Sequence, residues 1–358
     1  MTLTRKILIG TTITINILIA VATIFAAYAG HISPQDMPIA AIACLLFPLT
    51  IITTLIMMPI SFFVKRWIAL IPLATLLICI GPTLDICPLN IFNANDHKKI
   101  DTNDFTLLSY NAYNFKALDK EYPNDSTNAT LSYIIDTDAD IVCLQECEYL
   151  SPLKYWHVYP PQVDSLKRQY PYQIIGEDNG ESILSKYPVE KIYSEGYFSH
   201  FRVNTPNGKI DIIDVHLRSL RLTDEEKKQY ADISDINDDD SKWKDIIIKV
   251  IEASKNRARQ AEKLHDYIET LDDENIIVCG DFNDVPGCYA INTICEDFDD
   301  AYAECAFGPT ITYHGNEIYF RIDHIFYDGD IEATSITRGD IDRSDHYPLI
   351  ATFHWEND

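Results

Sequence analysis

Polar side chains that suit phosphate chemistry follow short apolar runs at six places in the second part of the 358-residue chain. The six segments are Leu108–Asn111, Leu144–Glu146, Asp214–Leu217, Gly280–Asp284, Ile322–His324 and Ser344–Pro348. Oxygen-rich ligand sets with few histidines suit a hard cation such as Mg²⁺ or Mn²⁺. The histidines suit contact with, or proton donation to, a phosphoryl oxygen. The residue types therefore predict metal-assisted chemistry on a phosphoryl group.

Each segment, taken alone, also fits a structural role that requires no active site. Glu146 also fits a helix N-terminal cap or a surface acid, and His216 also fits a buried core histidine. Asp345 and His346 also fit a turn ahead of Pro348. The occurrence of all six segments in one chain, and their order along it, favour a shared site.

The apolar runs before these residues have the length and the β-branched character of buried strands. They are Phe105–Ser109, Ile141–Leu144, Ile183–Leu184, Ile210–Val215, Ile276–Cys279, Ile322–Phe326 and Leu349–Phe353. Helical periodicity is clearest over Ile246–Leu271, and a second helix is predicted over about Asn128–Asp136. Alternating strands and helices predict an α/β domain, in which residues that follow strands collect at the sheet edge.

The motifs LQE at 144–146, GDFN at 280–283 and SDHxP at 344–348 occur in this order along the chain. In this the sequence resembles the endonuclease/exonuclease/phosphatase superfamily, which includes pancreatic deoxyribonuclease, abasic-site endonucleases, neutral sphingomyelinases and inositol-polyphosphate phosphatases. The resemblance covers about Phe105 to Phe353. It implies a four-layer α-β-β-α sandwich, in which two packed mixed β-sheets are flanked by helices and the active site lies at one edge.

The resemblance also implies a metal site. Glu146 of the LQE motif is expected to be the principal ligand of Mg²⁺ or Mn²⁺. Asn111 is expected to help hold the metal or a phosphate oxygen, and Asp345 to supply a second metal contact.

Five further residues take catalytic roles through the same resemblance. Asp281 is expected to orient or deprotonate the attacking water, with Asn283 fixing Asp281 and contacting the phosphate. His346 is expected to face the phosphoryl group and Asp323 to orient His346 through a carboxylate–imidazole hydrogen bond. His216 is expected to stabilise the charge that grows on the phosphate. No covalent intermediate is required.

Other residues near the motifs leave alternatives open. Arg218 and Arg221 are candidates for binding a phosphate-bearing substrate, against a reading as a solvated loop, and Arg257 is interpreted as a surface or interlayer contact. Two residues depart from the family pattern, since Asp214 stands where many members have Asn and Glu181 where a small apolar residue is common. We expect an enzyme that remains active.

The first 90 residues are apolar and carry six charged side chains, namely Arg5, Lys6, Asp36, Lys65, Arg66 and Asp85. Three stretches, Ile7–Ala29, Pro38–Val64 and Trp67–Leu84, are each about long enough to cross ~30 Å of hydrocarbon as a helix. The first also fits a signal peptide, but the two spans that follow favour a retained helix. We predict a three-helix transmembrane anchor at 1–90, a linker at 91–104 and a catalytic domain at 105–358.

The four basic residues of the anchor predict its orientation. They occupy the N-terminus and the turn after the second span, whereas the loop at 30–37 holds no Lys or Arg. The positive-inside rule then puts both basic sites in the cytoplasm. Three crossings of the cell inner membrane leave the catalytic domain extracytoplasmic, in the periplasm. Lys98 and Lys99 are a mild counter-signal.

The part of the chain after residue 90 is strongly acidic, with 52 acidic against 25 basic residues and a net charge of −27. This argues against tight, sequence-independent binding of nucleic acid, which needs cations to neutralise phosphates. The nine cysteines include no CxxC pair, so a thiolate zinc site is disfavoured. Cys288, Cys295 and Cys305 are close enough in sequence for a disulfide in an oxidising compartment.

These observations predict a membrane-anchored, divalent-metal-dependent phosphoesterase that acts by direct attack of an activated water. Its expected substrate is a lipid head group, a small phosphoester or nucleic acid, and its expected surroundings are the membrane bilayer, with no protein partner indicated. The main alternative is a nuclease acting on extracytoplasmic DNA or RNA. Minor alternatives are an inactive binding domain and a structural membrane protein.

Overall fold

Twelve strands form two six-stranded sheets in the described part of the computed structural model, which covers residues 2–91, 102–115, 128–147, 160–176, 181–220, 240–271, 275–315 and 318–356. The strands are β1 (Asp104–Asn111), β2 (Ile141–Gln145), β3 (Tyr172–Ile174), β4 (Ser182–Ser185), β5 (Val189–Glu195), β6 (Phe198–Asn204), β7 (Lys209–His216), β8 (Ile276–Asp281), β9 (Asp299–Asp300), β10 (Asp323–Asp328), β11 (Ile331–Arg338) and β12 (Leu349–Trp355).

Both sheets are mixed. The first has the order β11-β12-β1-β2-β4-β3 and the second the order β5-β6-β7-β8-β10-β9. In each sheet one central pair is parallel, β1 with β2 and β7 with β8, and the other neighbours are antiparallel. The carboxyl ends of these parallel strands point to the same edge of their sheet, as the predicted site requires.

Helices complete the layers. They are α1 (Leu3–Tyr28), α2 (Pro38–Val64), α3 (Leu70–Ile78), α4 (Ile80–Ile86), α5 (Ala129–Thr137), α6 (Pro160–Gln169), α7 (Asp240–Ile268), α8 (Tyr289–Ile294) and α9 (Ala301–Cys305). Helices α5 and α6 pack on the outer face of the first sheet, and α7 and α8 pack on the outer face of the second. The four-layer sandwich predicted from the sequence is confirmed.

The strand β1 shows why the central strands read as nearly continuous apolar runs. Phe105 and Leu107 face the second sheet, whereas Leu108 and Tyr110 face the helices on the outside. Successive side chains alternate between the two faces, so a strand that is covered on both faces needs apolar residues at every position.

The N-terminal helices pack as an apolar bundle. Two of them, Leu3–His31 and Pro38–Val64, are long and apolar enough to cross a membrane. Within the bundle Asn16 Nδ2 donates to Ser61 Oγ at 2.9 Å, and the hydroxyls of Thr23 and Thr54 lie 3.0 Å apart. Hydrogen bonds of this kind hold transmembrane helices together.

The third apolar stretch differs from the prediction of one span over Trp67–Leu84. It contains two helices that meet at 60°, so it adds a third span only if the bent pair crosses as one. The bend follows from Pro82, which has no N–H to donate to the carbonyl of Ile78. That carbonyl instead accepts a hydrogen bond from Tyr28 Oη at 2.7 Å.

The bundle packs directly on the sandwich. Cys44 Sγ of α2 donates to the carbonyl of Gly287 at 3.6 Å, and Arg321 Nη2 donates to the carbonyl of Asp85 at 2.9 Å. Gln35 Nε2 adds a contact to the Glu262 carboxylate at 3.3 Å. Most of the predicted linker, residues 92–101, lies outside the described part of the chain.

The structure answers whether the cysteines that are close in sequence form a disulfide. Cys288, Cys295 and Cys305 are buried thiols of the described chain, and no disulfide joins them. Cys288 instead packs among side chains of α1 and α2, next to Cys44.

A small residue at Gly30 is required where the bundle meets the sandwich. A Cβ at Gly30 would overlap the carbonyl of Gly287, whereas Gly10 in α1 has open space around it. Overpacking of this kind costs about 1–3 kcal/mol. We expect Gly30→Ala to lower the thermal unfolding midpoint of the full chain in detergent by several degrees and Gly10→Ala to leave it unchanged. Equal midpoints for the two variants would contradict this contact.

Candidate functional site

The predicted site residues meet at one edge of the two sheets. Asn111 and His216 end β1 and β7, Glu146 follows β2, and Asp281 ends β8. The antiparallel strand β10 begins there too, because Asp323 pairs with Asp281 in the register of β8 and β10. The segment that leads into β12 adds Asp345 and His346 from the first sheet, because β12 runs antiparallel to β1.

Asp281 lies at the centre of this group and is almost fully buried. Its Oδ1 accepts from the backbone N–H of Asn283 at 2.8 Å, and its Oδ2 accepts from Asn111 Nδ2 at 3.1 Å. The same Oδ2 lies 3.6 Å from His346 Nε2 and 3.8 Å from His216 Nε2. One carboxylate therefore faces two amides and two imidazoles.

A second buried carboxylate orients His346 from its other side. Both oxygens of Asp323 accept from His346 Nδ1, at 2.8 and 3.1 Å. This leaves Nε2 directed at Asp281 and the cleft. The hydroxyl of Ser344 holds the backbone, since it donates to the carbonyl of Asn111 at 2.7 Å and accepts from the N–H of His346 at 3.2 Å.

The carboxylates around His346 favour its charged form. Burial lowers the pKa of His346, but the carboxylates of Asp323 and Asp281 outweigh burial and raise this pKa to about 10. Burial also raises the pKa of Asp281, while the neighbouring His346 opposes that shift. An imidazolium at this place can donate a hydrogen bond to a phosphoryl oxygen.

Glu146 is the more accessible carboxylate of the site, with a side chain 32% exposed. Its Oε1 lies 3.4 Å from Asn111 Nδ2 and 3.8 Å from His216 Nε2. Its backbone is left-handed, with a φ of 48°, and so is that of Asn283, with a φ of 52°. This conformation costs roughly 1–2 kcal/mol for most residues with a side chain, so the fold holds Glu146 under strain, whereas Asn adopts it more readily.

Two neighbouring sets of residues offer ligands for a metal ion. The ligand atoms of Asp281, Asp323 and His346 lie within 4.8 Å of one another. In that set Asp323 and His346 already form hydrogen bonds with each other, so few of their ligand atoms remain available to a metal ion. Glu146 and Asp345 both line the cleft and offer carboxylate oxygens to it.

The amides are engaged in specific ways. Asn111 turns Nδ2 to the carboxylates, while its Oδ1 accepts from the N–H of Tyr113 at 3.1 Å. In this orientation Asn111 suits donation to a phosphate oxygen better than metal ligation. Asn283 donates its Nδ2 to the carbonyl of Leu217 at 3.1 Å, which fixes the GDFN turn against the end of β7.

Six of the predicted residues line a cleft of about 240 Å³, namely Glu146, His216, Asp281, Asn283, Asp345 and His346. Most of the other lining residues are apolar or aromatic and were not singled out from the sequence. They include Leu45, Tyr113, Leu220, Val285, Tyr313, Ile318 and Phe320. Leu45 belongs to α2, so the N-terminal bundle forms part of the cleft wall.

Among the arginines near the motifs, Arg257 is buried, which excludes a surface position and agrees with an interlayer contact. Arg257 of α7 lines the cleft, where its Nε donates to Asp284 Oδ2 at 3.1 Å. The described contacts of Arg218 are made by its backbone, whose carbonyl accepts from Arg257 Nη1 at 3.0 Å. Arg221 lies outside the described residues. A role for Arg218 or Arg221 in substrate binding stays a prediction.

The two departures from the family pattern lie behind His216. Asp214 is fully buried and its Oδ1 accepts from Gln145 Nε2 at 2.6 Å. Glu181 is also buried and its Oε2 accepts from Ser199 Oγ at 3.2 Å. Asp214 therefore faces a polar neighbour between the sheets.

The comparison with family models gives two matches. The model described as the endonuclease/exonuclease/phosphatase family matches residues 108–346, which is two thirds of the chain and contains all eight predicted metal and catalytic residues. A domain of unknown function matches residues 5–85, the N-terminal bundle. No curated protein matches the chain.

Solved structures resemble the chain at low identity. An endonuclease/exonuclease/phosphatase from Beutenbergia cavernae is 15% identical, with a TM-score of 0.46 over 71% of this chain and 72% of that one. Truncated TDP2 from Caenorhabditis elegans is 16% identical, with a TM-score of 0.46 over 72% of this chain and 100% of that one. A beta toxin variant from Staphylococcus aureus with bound magnesium ions is 18% identical, with a TM-score of 0.43 over 69% and 99%.

The buried acid Asp214 makes a pH-dependent contribution to stability. Burial raises the pKa of Asp214 well above its ordinary value, and the charge of Glu181 adds to this shift. Between the unfolded and folded pKa values the folded state binds more protons, so the free energy of unfolding falls as pH rises through that window. Asn at this position keeps an oxygen for Gln145 and carries no charge.

We therefore expect Asp214→Asn to be more stable than the wild type at pH 8, by about 1 kcal/mol or more, with the difference closing toward pH 4. The measurement is the unfolding midpoint of the full chain in detergent across this range. Asp328→Asn, at an exposed position of β10, is the matched control and should follow the wild type. A pH-independent difference for Asp214→Asn would show that Asp214 does not titrate as described.

Proposed function

The chain belongs to the endonuclease/exonuclease/phosphatase family, and from this premise we propose that it is a membrane-anchored, divalent-metal-dependent phosphoesterase that uses direct attack of water. Members of the family are hydrolases acting on phosphoester bonds. The observation that carries the proposal is the meeting of four carboxylates, two amides and two imidazoles at one sheet edge, facing a cleft. They are Asn111, Glu146, His216, Asp281, Asn283, Asp323, Asp345 and His346.

Glu146 and Asp345 would hold Mg²⁺ or Mn²⁺, with Asn111 beside them. The donor set supports this, because it is rich in oxygen, partly exposed to the cleft and flanked by further carboxylates. When bound, the cation supplies neutralisation of charge on the phosphoryl oxygens. The Asn111 amide can add a hydrogen bond to one of those oxygens.

Asp281 would orient the attacking water and accept its proton. The hydrogen bonds from Asn111 and Asn283 fix the rotation of its carboxylate, and the nearby His346 favours the charged form that a base requires. Asn283 would thus act on the water through Asp281.

His346 would donate from Nε2 to the phosphoryl group or to the leaving oxygen. Asp323 keeps the ring in place and supports its charge, in the manner of other carboxylate–imidazole pairs. His216 would stabilise charge on the other side of the phosphate, since it lies near both Glu146 and Asp281.

We further propose that residues 1–90 are the anchor, 105–358 the catalytic domain, and that this domain lies outside the cytoplasm, on the periplasmic side of an inner membrane. The contacts between the parts support this orientation. The sandwich packs on the end of the bundle that holds Gly30 and Cys44. Arg5, Lys6 and the Lys65–Arg66 pair lie at the opposite end of the antiparallel helices α1 and α2, and such basic ends stay in the cytoplasm.

The catalytic proposal is tested with the full chain in detergent and a water-soluble diester such as bis(p-nitrophenyl) phosphate. Hydrolysis should require Mg²⁺ or Mn²⁺ and stop with EDTA. Glu146→Gln and His346→Ala should each lower kcat/KM about 10²–10³-fold, because each removes a charge that the transition state needs. Glu190→Gln, an exposed acid on β5, is the control. Unchanged rates in both site variants would refute the assignment.

The nuclease alternative is decided by offering the same protein a supercoiled plasmid. Mg²⁺-dependent nicking that Glu146→Gln abolishes would make the chain a membrane-anchored nuclease. A protein that cleaves the soluble diester and leaves the plasmid intact supports a substrate other than duplex DNA.

The orientation is tested with reporters fused to the C-terminus in a bacterial host. An alkaline phosphatase fusion, which is active only outside the cytoplasm, should be active after residue 358. An alkaline phosphatase fused after Arg66 should be inactive. Green fluorescent protein should be fluorescent when fused after Arg66 and dark when fused after residue 358. An inactive phosphatase at the C-terminus would place the catalytic domain in the cytoplasm.

A further inference from the structure

The lining of the cleft contains two chemical kinds of residue. The carboxylates and imidazoles described above are one kind. Val285, Ile318, Phe320 and Leu45 contribute to an apolar wall, and Leu45 comes from the helix bundle. A cleft used only for a small polar phosphoester would have no need for a wall that includes a membrane helix.

The position of Leu45 along α2 fixes its depth in a membrane. Val64 is the last apolar residue before Lys65 and Arg66, whose charges belong at the membrane surface. About 20 helical residues cross ~30 Å of hydrocarbon, and counting 20 back from Val64 ends at Leu45. Leu45 therefore lies where the hydrocarbon ends and the lipid head groups begin, on the side of the catalytic domain.

The contacts between bundle and sandwich hold the cleft at this level. The residue before Leu45, Cys44, is the one that contacts the carbonyl of Gly287, two residues from Val285 of the cleft wall. Along α2, Leu46 and Leu49 are 47% and 60% exposed, as lipid-facing side chains are. The apolar wall of the cleft and the lipid-facing surface of α2 therefore meet at Leu45.

The sandwich also exposes large apolar residues near the bundle. Leu89, just after the bundle, pairs with Phe307 of the sandwich, and the two are 58% and 55% exposed. Tyr319, between two cleft-lining residues, is 57% exposed. Exposed apolar and aromatic groups of this kind are favoured at the boundary between head groups and acyl chains.

The charges around the cleft are unlike those of a nucleic-acid site. Among the described residues that line it, Arg257 is the one guanidinium or ammonium group, and Asp284 is paired with it at 3.1 Å. A polynucleotide needs a row of cations along its phosphates. A single phosphodiester needs only the charges already gathered around Glu146 and His346.

From these observations we propose that the substrate is a phospholipid of the bilayer that surrounds the anchor. Its phosphodiester lies beside Glu146 and His346, and its apolar part lies along Leu45 and Phe320. The proposal rests on the phosphoesterase function proposed above. In the reaction the water oxygen bonds to phosphorus and one ester P–O bond breaks. The water protons end on the released alcohol and in solvent.

The test uses the full chain reconstituted into vesicles of equal parts phosphatidylethanolamine and phosphatidylglycerol, with Mg²⁺. Thin-layer chromatography and ³¹P NMR detect either pair of products, diacylglycerol with a phosphorylated head group or phosphatidic acid with a free one. Bis(p-nitrophenyl) phosphate is hydrolysed in parallel, and the quantity compared is the ratio of the lipid rate to the soluble-diester rate.

Leu45→Gln should lower this ratio about tenfold, because an acyl chain binds less well to a wall that contains a polar amide. Leu46→Gln is the matched control, since it makes the same change at the neighbouring lipid-facing position, and its ratio should stay within about twofold of the wild type. Phe320→Gln, on the sandwich side of the wall, should repeat the selective loss, so the conclusion does not depend on the folding of one variant.

The outcomes separate the two proposals. Hydrolysis of the soluble diester with no lipid product, or an equal ratio in Leu45→Gln, Phe320→Gln and Leu46→Gln, would overturn the lipid substrate and leave the phosphoesterase standing. Hydrolysis of neither substrate by the folded wild type would overturn the phosphoesterase and the lipid substrate together. Lipid hydrolysis with the selective loss in both wall variants establishes the inference.

Discussion

Two buried carboxylates and one imidazole join the two sheets of this protein. Asp281 and Asp323 face each other across β8 and β10 of the second sheet, and His346 reaches them from the first. Buried charges of one sign are costly unless an opposite charge satisfies them, so the two acids require the imidazolium. The sheets must keep their relative position for it to reach them, and Asn111 spans the same seam. The packing of the sandwich and the assembly of the site are thus one constraint.

The central strands and most of the site residues could be predicted from the sequence, because both leave a signal in short stretches of the chain. Strands buried on both faces produce clear apolar runs, and polar residues directly after them, such as Glu146 and Asp281, stand at a sheet edge whatever the details of packing. The strands β3, β5, β6, β9 and β11 were not predicted. In β5 most side chains are exposed and include Glu190 and Lys191, because it is the edge strand, so its sequence carries little of the apolar signal.

Other features depend on contacts between distant parts of the chain. Arg257 and Leu45 line the same cleft although more than 200 residues separate them, and nothing in their local sequence marks either as part of a site. The left-handed backbone of Glu146 is likewise set by its surroundings. The bend in the third apolar stretch could have been anticipated from Pro82. The hydrogen bond that the Tyr28 hydroxyl donates to the carbonyl of Ile78 could not, because Tyr28 is 50 residues away in the sequence.

The close approach of Gly30 to Gly287 has a consequence for how such a protein can be rearranged. The sandwich surface around Cys288 is apolar and is completed by alanines of the bundle, including Ala29 and Ala40. A different apolar helix, with larger side chains at these places, would not fit that surface, and a sandwich without a bundle would leave the surface exposed to water. The two parts are therefore not interchangeable modules. Substitutions on one side of this joint constrain those that the other side can accept, so the bundle and the sandwich must change together.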